Sequence, residues 1–276
     1  MLLESFAVTG AAASLINVML TGNRGSALKT GGFMLMRFIE YFFASALLYL
    51  SSAYIYTELA IDLDEPQEEP SPFWMWQFDE LAEMVRKVFR VRLEVSGLEL
   101  LPKDTRYLIV SNHRSLFDPV SMAAAFKKQE YVYISKTSNF KIPIAGKVMH
   151  KCGCMALNRE NSREAIVTIK RAVQMIKSDT ASVVIYPEGT RSQLDEVLPF
   201  HSGSFKIAQR AGVPVVCIAM RNTDKVVHRG PILPTTVHID VAGVIDADFV
   251  GKHTTKETAE LAHKIIQEKL DIEKNS

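Results

Sequence analysis

The stretch Asn112–Asp118 (NHRSLFD) places an imidazole and a carboxylate five residues apart, directly after the apolar run Tyr107–Ser111. His113 is the one side chain there whose ordinary pKa lies near neutrality, so it can take and return a proton at pH 7. Asp118 can fix the imidazole tautomer and stabilise the imidazolium that forms. A positioned base of this kind contributes a factor of about 10²–10⁴ in rate. The proton could come from Ser115 acting as a nucleophile or from a substrate hydroxyl. Asp118 also precedes Pro119 and a helical run, so it fits equally well as a helix N-cap with proline at N1.

A second polar stretch follows another apolar run. Ala181–Tyr186 leads into Pro187-Glu188-Gly189-Thr190-Arg191-Ser192. A glycine and hydroxyl residues at a strand end can form an anion-binding backbone nest, and Arg191 can grip phosphate bidentately. In a third stretch, Gly153–Arg159 (GCMALNR), a short apolar segment delivers a second cation, Arg159, to a strand end. Surface ion pairing is the other reading of each arginine. The chain has neither the GxxxxGK[ST] nor the GxGxxG phosphate-binding pattern, and it lacks the GxSxG elbow of serine hydrolases.

The elements that must position these residues alternate. Apolar runs at Val91–Ser96, Tyr107–Ser111, Tyr131–Ser135, Ala181–Tyr186, Val213–Ala219 and Val237–Val244 read as strands. Between them, Asp118–Lys128, Ile142–His150, Ser162–Lys177 and Ser202–Ala211 read as helices. Thr254 and Glu257 form a capping box for a last amphipathic helix. This order predicts an α/β fold: a mixed, mostly parallel sheet flanked by helices, with its site in loops beyond the strands' carboxyl ends.

The N-terminal part differs in composition. Ser5–Thr21 and Tyr41–Thr57 are each 17 residues without a charge. As helices of about 25 Å they sit at the lower limit for crossing a ~30 Å hydrocarbon core, so they could span, dip into one leaflet, or pack as soluble core helices. The glycine-rich stretch between them, Thr21–Gly32, reads as a loop carrying Arg24 and Lys29, and Arg37 and Glu40 can pair on one helix face. Residues 62–72 are acidic and proline-rich, which predicts a solvated linker. Phe73, Trp74 and Trp76 follow, either as a membrane-interface cluster or as inward-packing residues of a helix over Phe73–Phe89. The expected organisation is an N-terminal two-helix membrane-associated segment (1–61), a linker (62–72) and an α/β domain (73–276).

Charge and cysteine content narrow the class. Lysine and arginine number 32 against 31 acidic residues, so no global field points to nucleic acid. Cys152 and Cys154 are too close for an easy disulfide, which fits a reducing compartment. His150-Lys151-Cys152-Gly153-Cys154 can be read as a metal clamp or as a small-residue turn, the spacing favouring the turn. The leading residues MLLES have no basic region and do not look like a cleaved signal peptide.

Four ordered blocks between about residues 95 and 225 resemble the glycerolipid acyltransferases, in particular the 1-acylglycerol-3-phosphate O-acyltransferases. His113 with Asp118, preceded by Asn112, is similar to that family's HxxxxD motif. The run into Arg159, the PEGTRS block at 187–192 and Val213-Pro214-Val215-Val216 follow in the family's order, with Lys136, Pro143, Pro199, Phe200 and Gly203 between them. The resemblance implies acyl transfer from a fatty acyl thioester to the sn-2 hydroxyl of lysophosphatidic acid, giving phosphatidic acid, with His113 and Asp118 as the general base and no acyl-enzyme. Ser115 then has a supporting role. Arg159, Glu188, Gly189, Thr190 and Arg191 would hold the acceptor, with Lys136 beside them. Acyl-CoA or acyl carrier protein would bring the donor, and no metal or other cofactor is called for. The N-terminal apolar pair resembles the membrane anchor of some bacterial members, which implies a membrane-associated enzyme with its catalytic domain on the cytoplasmic side. Cys217 stands where the family commonly has a second proline, which bears on donor and chain-length preference.

Three alternatives remain at this point. The acceptor could be glycerol 3-phosphate or another lysolipid, and the fold could serve as a non-catalytic lipid-binding protein. A serine hydrolase built on Ser115 would have to fit its triad into one short turn.

Overall fold

The computed structural model describes residues 2–21, 27–63, 65, 67, 69–127, 130–192 and 196–274. Seven strands form one sheet: β1 (Val91–Ser96), β2 (Leu108–Ser111), β3 (Tyr131–Lys136), β4 (Met155–Leu157), β5 (Ser182–Ile185), β6 (Val215–Arg221) and β7 (Thr235–Ile245). Their order is β1-β7-β6-β2-β5-β3-β4. The five strands from β6 to β4 run parallel, and β7 is antiparallel to β6 and parallel to β1. The predicted mixed, mostly parallel sheet is therefore present, and its strands match the apolar runs to within a few residues.

Both sheet faces are covered, which is why the strands read as continuous apolar runs instead of alternating ones. Leu108, Val110, Val183, Ile185, Val215 and Cys217 point to one face, where they pack with Ala172 and Ile176 of α6 (Ser162–Lys177) and Ala262 and Ile266 of α10 (Thr255–Lys274). Ile109, Val184, Val216, Ile218 and Met220 point to the other. There they meet Phe78 and Val85 of α3 (Pro72–Val88), Met122 of α4 (Phe117–Ala125) and Val148 of α5 (Ala145–Lys151). The expected helix 202–211 is a 3₁₀ turn (Ser202–Phe205) followed by α7 (Lys206–Ala211). The capping box forms: Thr254 N–H donates to Glu257 Oε2 at 2.8 Å, and Glu257 N–H to Thr254 Oγ1 at 3.3 Å. Two short helices, α8 (Thr223–Arg229) and α9 (Ala247–Lys252), lie outside the helices expected from sequence.

The N-terminal pair departs from expectation in length. α1 spans Leu2–Thr21, but α2 spans Ala27–Ala60, 34 residues, about 51 Å at 1.5 Å per residue. Lys29 and the Gly31–Gly32 pair, expected in the loop, belong to this helix, and Arg24 lies outside the described residues. Arg37 does not interrupt the helix because Glu40 neutralises it at 2.6 Å. Residues 29–60 are long and apolar enough to cross a bilayer. The two helices pack with Ser14 Oγ donating to the Met34 carbonyl and Asn17 Nδ2 to the Tyr41 hydroxyl.

The predicted solvated linker is held down instead. His150 Nε2 meets the Glu65 carbonyl at 3.0 Å, Arg171 donates to the Gln67 carbonyl, and Ser71 N–H donates to the Lys151 carbonyl. The acidic side chains of Asp62, Glu65 and Glu69 face water while the backbone is captured. The aromatic cluster divides by helix face. Trp74 stacks on Tyr56 at 5.8 Å, whereas Phe73 and Trp76 are exposed.

Asn112 ties β2 to β6. Its Oδ1 accepts the Met220 N–H at 2.8 Å and its Nδ2 donates to the Met220 carbonyl at 2.9 Å, all out of water. Asn112→Ala leaves both buried backbone groups without a partner, which costs about 2–4 kcal/mol. The expected outcome is a lower thermal midpoint in detergent, with an Asn112→Asp variant recovering little because its carboxylate cannot donate.

Candidate active site

The polar stretches converge because their strands are neighbours. β2, β5, β3 and β4 are consecutive in the sheet and parallel, so their carboxyl ends form one edge. His113 follows β2, Tyr186–Arg191 follows β5, Lys136 ends β3, and Arg159 follows β4. Such an edge is where sites of α/β sheets are built.

The His113–Asp118 turn is organised around one buried carboxylate oxygen. Asp118 Oδ2 accepts His113 Nδ1 at 2.6 Å, Arg114 N–H at 2.7 Å and Ser115 N–H at 2.9 Å, and Asp118 is 0% exposed. With Nδ1–H donated to Asp118, the lone pair is on Nε2, which is the base-competent tautomer. Asp118 is therefore not the N-cap. α4 begins at Phe117, and Ser115 Oγ accepts the Phe117 N–H at 3.1 Å. That bond buries the Ser115 hydroxyl in the helix start, and among the described residues it has no hydrogen bond to His113. A triad using Ser115 has no geometric support.

Glu188 was expected to hold the acceptor, and its placement corrects that expectation. Its Oε1 accepts the His113 N–H at 2.6 Å and its Oε2 the Leu198 N–H at 3.0 Å. The carboxylate is buried between three loops, and burial raises its pKa above the ordinary carboxylate value. Glu188 thus fixes the backbone that carries the imidazole. Ser192 N–H donates to the His113 carbonyl at 2.8 Å, clamping the same residue from the other side.

Gly189 brings Arg159 across the edge. It adopts φ +72°, and a Cβ there would overlap the Arg159 guanidinium. Only glycine leaves room for that head group to lie on the β5 loop. Arg159 has no acceptor among the described residues, and desolvation around its head lowers its pKa. Thr190 and Arg191 are exposed on the same loop, again with Arg191 unpaired among the described residues. Lys136, exposed at the end of β3, is in register with Leu157 of β4 and faces the same edge.

Two contributors were missed from sequence. Tyr186 stacks on the His113 ring at 4.4 Å and 22°, covering one face of the imidazole. The signal was an aromatic residue immediately before Pro187. Asp224 of α8 lies 3.5 Å from Arg114 and links α8 to the His113–Asp118 turn; a lone acid in an unassigned helix gave no signal.

Residues 92–221 match the family model described as Acyltransferase. A chloroplastic 1-acyl-sn-glycerol-3-phosphate acyltransferase of Brassica napus is 39% identical over 140 residues, covering 50% of this chain and 40% of that protein. The enzyme of the same name in Salmonella typhimurium is 29% identical over 163 residues, covering 59% of this chain and 66% of its own. The chain thus spans less than two thirds of the length of these relatives. The crystal structure of a 1-acyl-sn-glycerophosphate (LPA) acyltransferase from Thermotoga maritima superposes with a TM-score of 0.63 at 21% identity, covering 86% of this chain and 93% of that one, a likeness of fold.

Residues 152–153 form a turn, as the small-residue reading of 150–154 expects. His150 Nε2 is bonded to the Glu65 carbonyl, and burial pushes the Cys154 thiol up to about 11. Cys217, likewise buried, is pushed up to about 12 and is inert as a nucleophile.

Glu188→Gln replaces one acceptor oxygen with an NH₂ group that must face the His113 or the Leu198 N–H. Losing one of these buried bonds costs about 1–3 kcal/mol. A lower thermal midpoint together with a changed His113 backbone amide shift is the expected result. An unchanged amide shift at 113 would remove Glu188 from its positioning role.

Proposed function

We propose that this protein transfers a fatty acyl group from an acyl thioester to the sn-2 hydroxyl of lysophosphatidic acid, forming phosphatidic acid. The observation that carries this reading is the approach of the unpaired Arg159 head group to Gly189, next in sequence to the carboxylate that holds His113. The guanidinium is brought to the loop of β5, the strand beside β2, so its lateral offset from the His113 strand is about one strand spacing, roughly 5 Å. That offset suits an acceptor whose hydroxyl and phosphate are separated by a short glycerol backbone. The names of the relatives point to the same acceptor.

In this mechanism His113 Nε2 takes the proton of the acceptor hydroxyl as the oxygen attacks the thioester carbonyl. Asp118 Oδ2, held by its three donors, keeps Nδ1–H in place and stabilises the imidazolium. Collapse of the tetrahedral intermediate breaks the carbon–sulfur bond, and His113 returns its proton to the departing thiolate. Arg159 and Arg191 hold the phosphate, with Thr190 and Lys136 in the surrounding lining. Much of the rate gain then comes from orientation of two bound reactants, since a thioester is already activated. No metal or redox cofactor has a task in these steps.

The acceptor and product are bilayer lipids, which fits an N-terminal helix hairpin that associates with the membrane and an α/β domain on the cytoplasmic face. Acyl-CoA and acyl carrier protein both present the required thioester.

His113→Ala is expected to lower turnover by a factor of about 10²–10⁴ while leaving folding and membrane association intact. Near-normal turnover would remove His113 as the base. Arg159→Ala and Gly189→Ala are each expected to raise KM for the lysolipid by about tenfold, and the double variant by little more, because both lose the same guanidinium contact. A panel of labelled acceptors offered with both donor types identifies the pair that gives product; glycerol 3-phosphate as the preferred acceptor would overturn the lysophosphatidic acid assignment.

A further inference from the structure

The segment between β6 and β7 returns to the catalytic edge and ends in side chains that nothing covers. β6 runs past His113's neighbour, with Ser111 paired to Ile218, so α8 and the loop to Thr235 lie beyond the same edge as the catalytic turn. Asp224 at the start of α8 contacts Arg114, and Arg90 donates to the Ile232 carbonyl at 2.8 Å. Between these anchors Ile232 is 77% exposed, Leu233 56% and Val227 54%. Leu116, inside the catalytic turn, is 62% exposed. Val227, Ile232 and Leu233 lie within one seven-residue span, and exposed aliphatic groups gathered on one rim mark an interaction surface.

The charges around them set the occupant. Arg90, Lys225 and Arg229 are exposed beside Ile232 and Leu233, and Pro231 and Pro234 bracket the pair. The Arg229 guanidinium donates to the Pro234 carbonyl at 3.2 Å, so the cation and the apolar tip form one unit. An apolar tip within a cationic ring is complementary to an anionic lipid surface, which takes the aliphatic groups below the headgroups and the cations at them. The N-terminal hairpin points the same way. Its docking contacts lie at Glu4 with Lys87, Tyr49 with Gln77 and Tyr56 with Trp74, so the helix ends at Thr21 and Ala27 extend in the direction of α3's carboxyl end. That end is followed by Arg90, on the catalytic rim.

We propose that residues 225–234, with Leu116, form a second membrane contact that seats the catalytic edge on an anionic bilayer, independently of the α1–α2 hairpin. The hairpin holds the domain near the lipid; this contact sets its tilt, so that the sheet edge carrying His113 and Arg159 faces the leaflet. The proposal rests on the reading that the acceptor is drawn from the bilayer, but the contact itself can be detected without turnover.

The test places an environment-sensitive fluorophore on the full chain at Leu233→Cys and, separately, at Asp104→Cys on the opposite sheet edge; the three native cysteines are buried. In phosphatidylcholine vesicles containing phosphatidylglycerol, the probe at 233 is expected to shift to the blue. It should be quenched by lipid-borne spin labels and shielded from iodide, while the probe at 104 stays open to iodide. A probe at 233 as accessible to iodide as that at 104 would overturn the proposal. Shielding already present in detergent would assign the rim to a second copy of the chain and overturn it equally. In turnover, an Ile232→Ser, Leu233→Ser variant is expected to raise KM severalfold for vesicle-borne lysolipid and to leave a monomeric short-chain lysolipid unaffected. An equal loss on both acceptors would count against a membrane role. If the fluorescence result holds and neither acceptor is used, the proposed acyl transfer fails and the contact stands.

Discussion

A single buried oxygen, Oδ2 of Asp118, organises the turn from His113 to Asp118. Three donors from three consecutive residues converge on it, and a carboxylate at zero exposure is tolerable only because they do. The constraint works in both directions. The donors keep the charge in place, and the charge keeps the loop 113–115 in the conformation that points Nδ1 at Asp118. A second buried carboxylate, Glu188, repeats the device one strand away, gathering the His113 and Leu198 N–H groups. The polar turn that follows a buried strand is thus not a solvated connection. It is a loop whose backbone is satisfied by two acidic side chains, as buried backbone must be.

The strand order turns this local device into a site. The polar stretches occur in the chain as 113, 136, 159 and 188, but the sheet places β5 between β2 and β3. The last stretch in sequence is therefore set beside the first, and Arg159 must reach inward from the far strand over β5's loop. Gly189 is where that reach is permitted. The glycine matters less for anion binding by its own N–H than for the absence of a Cβ. A nest of backbone donors and a seat for a guanidinium place the same demand on residue type, and sequence cannot separate the two.

Much of the fold was legible because both sheet faces are buried and the strands are correspondingly apolar. Ser162–Lys177 was read to the residue since Asn161 caps it, accepting from Arg163 and Glu164, and its apolar positions keep helical spacing. What failed did so for physical reasons. Arg37 and Glu40 pair on one helix face as expected, but the second N-terminal helix extends back to Ala27, through a stretch that its glycines and Lys29 made read as a loop. The linker looked solvated because its side chains are, whereas its carbonyls are what the domain captures. The role of Glu188 was hidden because a carboxylate that accepts from backbone N–H groups leaves no partner residue to recognise. Tyr186 was hidden because stacking on a ring 73 residues away in sequence has no periodic signature.

The arrangement also explains how one edge can serve both chemistry and location. A base needs a dry, fixed setting, and a lipid acceptor needs an opening onto the bilayer. These demands conflict in a loop, since loops that face lipid must either satisfy their backbone internally or order it by other means. Here the two buried carboxylates satisfy the backbone of the catalytic loops from beneath. That frees the outward side of the same loops to carry Leu116, Thr190 and Arg191, groups that a solvent-facing or lipid-facing surface can accept. Removing either carboxylate would therefore disturb more than proton transfer. Under the proposed acyl transfer it would return polar backbone to the surface where the acceptor enters, and so couple the proton transfer assigned to His113 to access from the membrane.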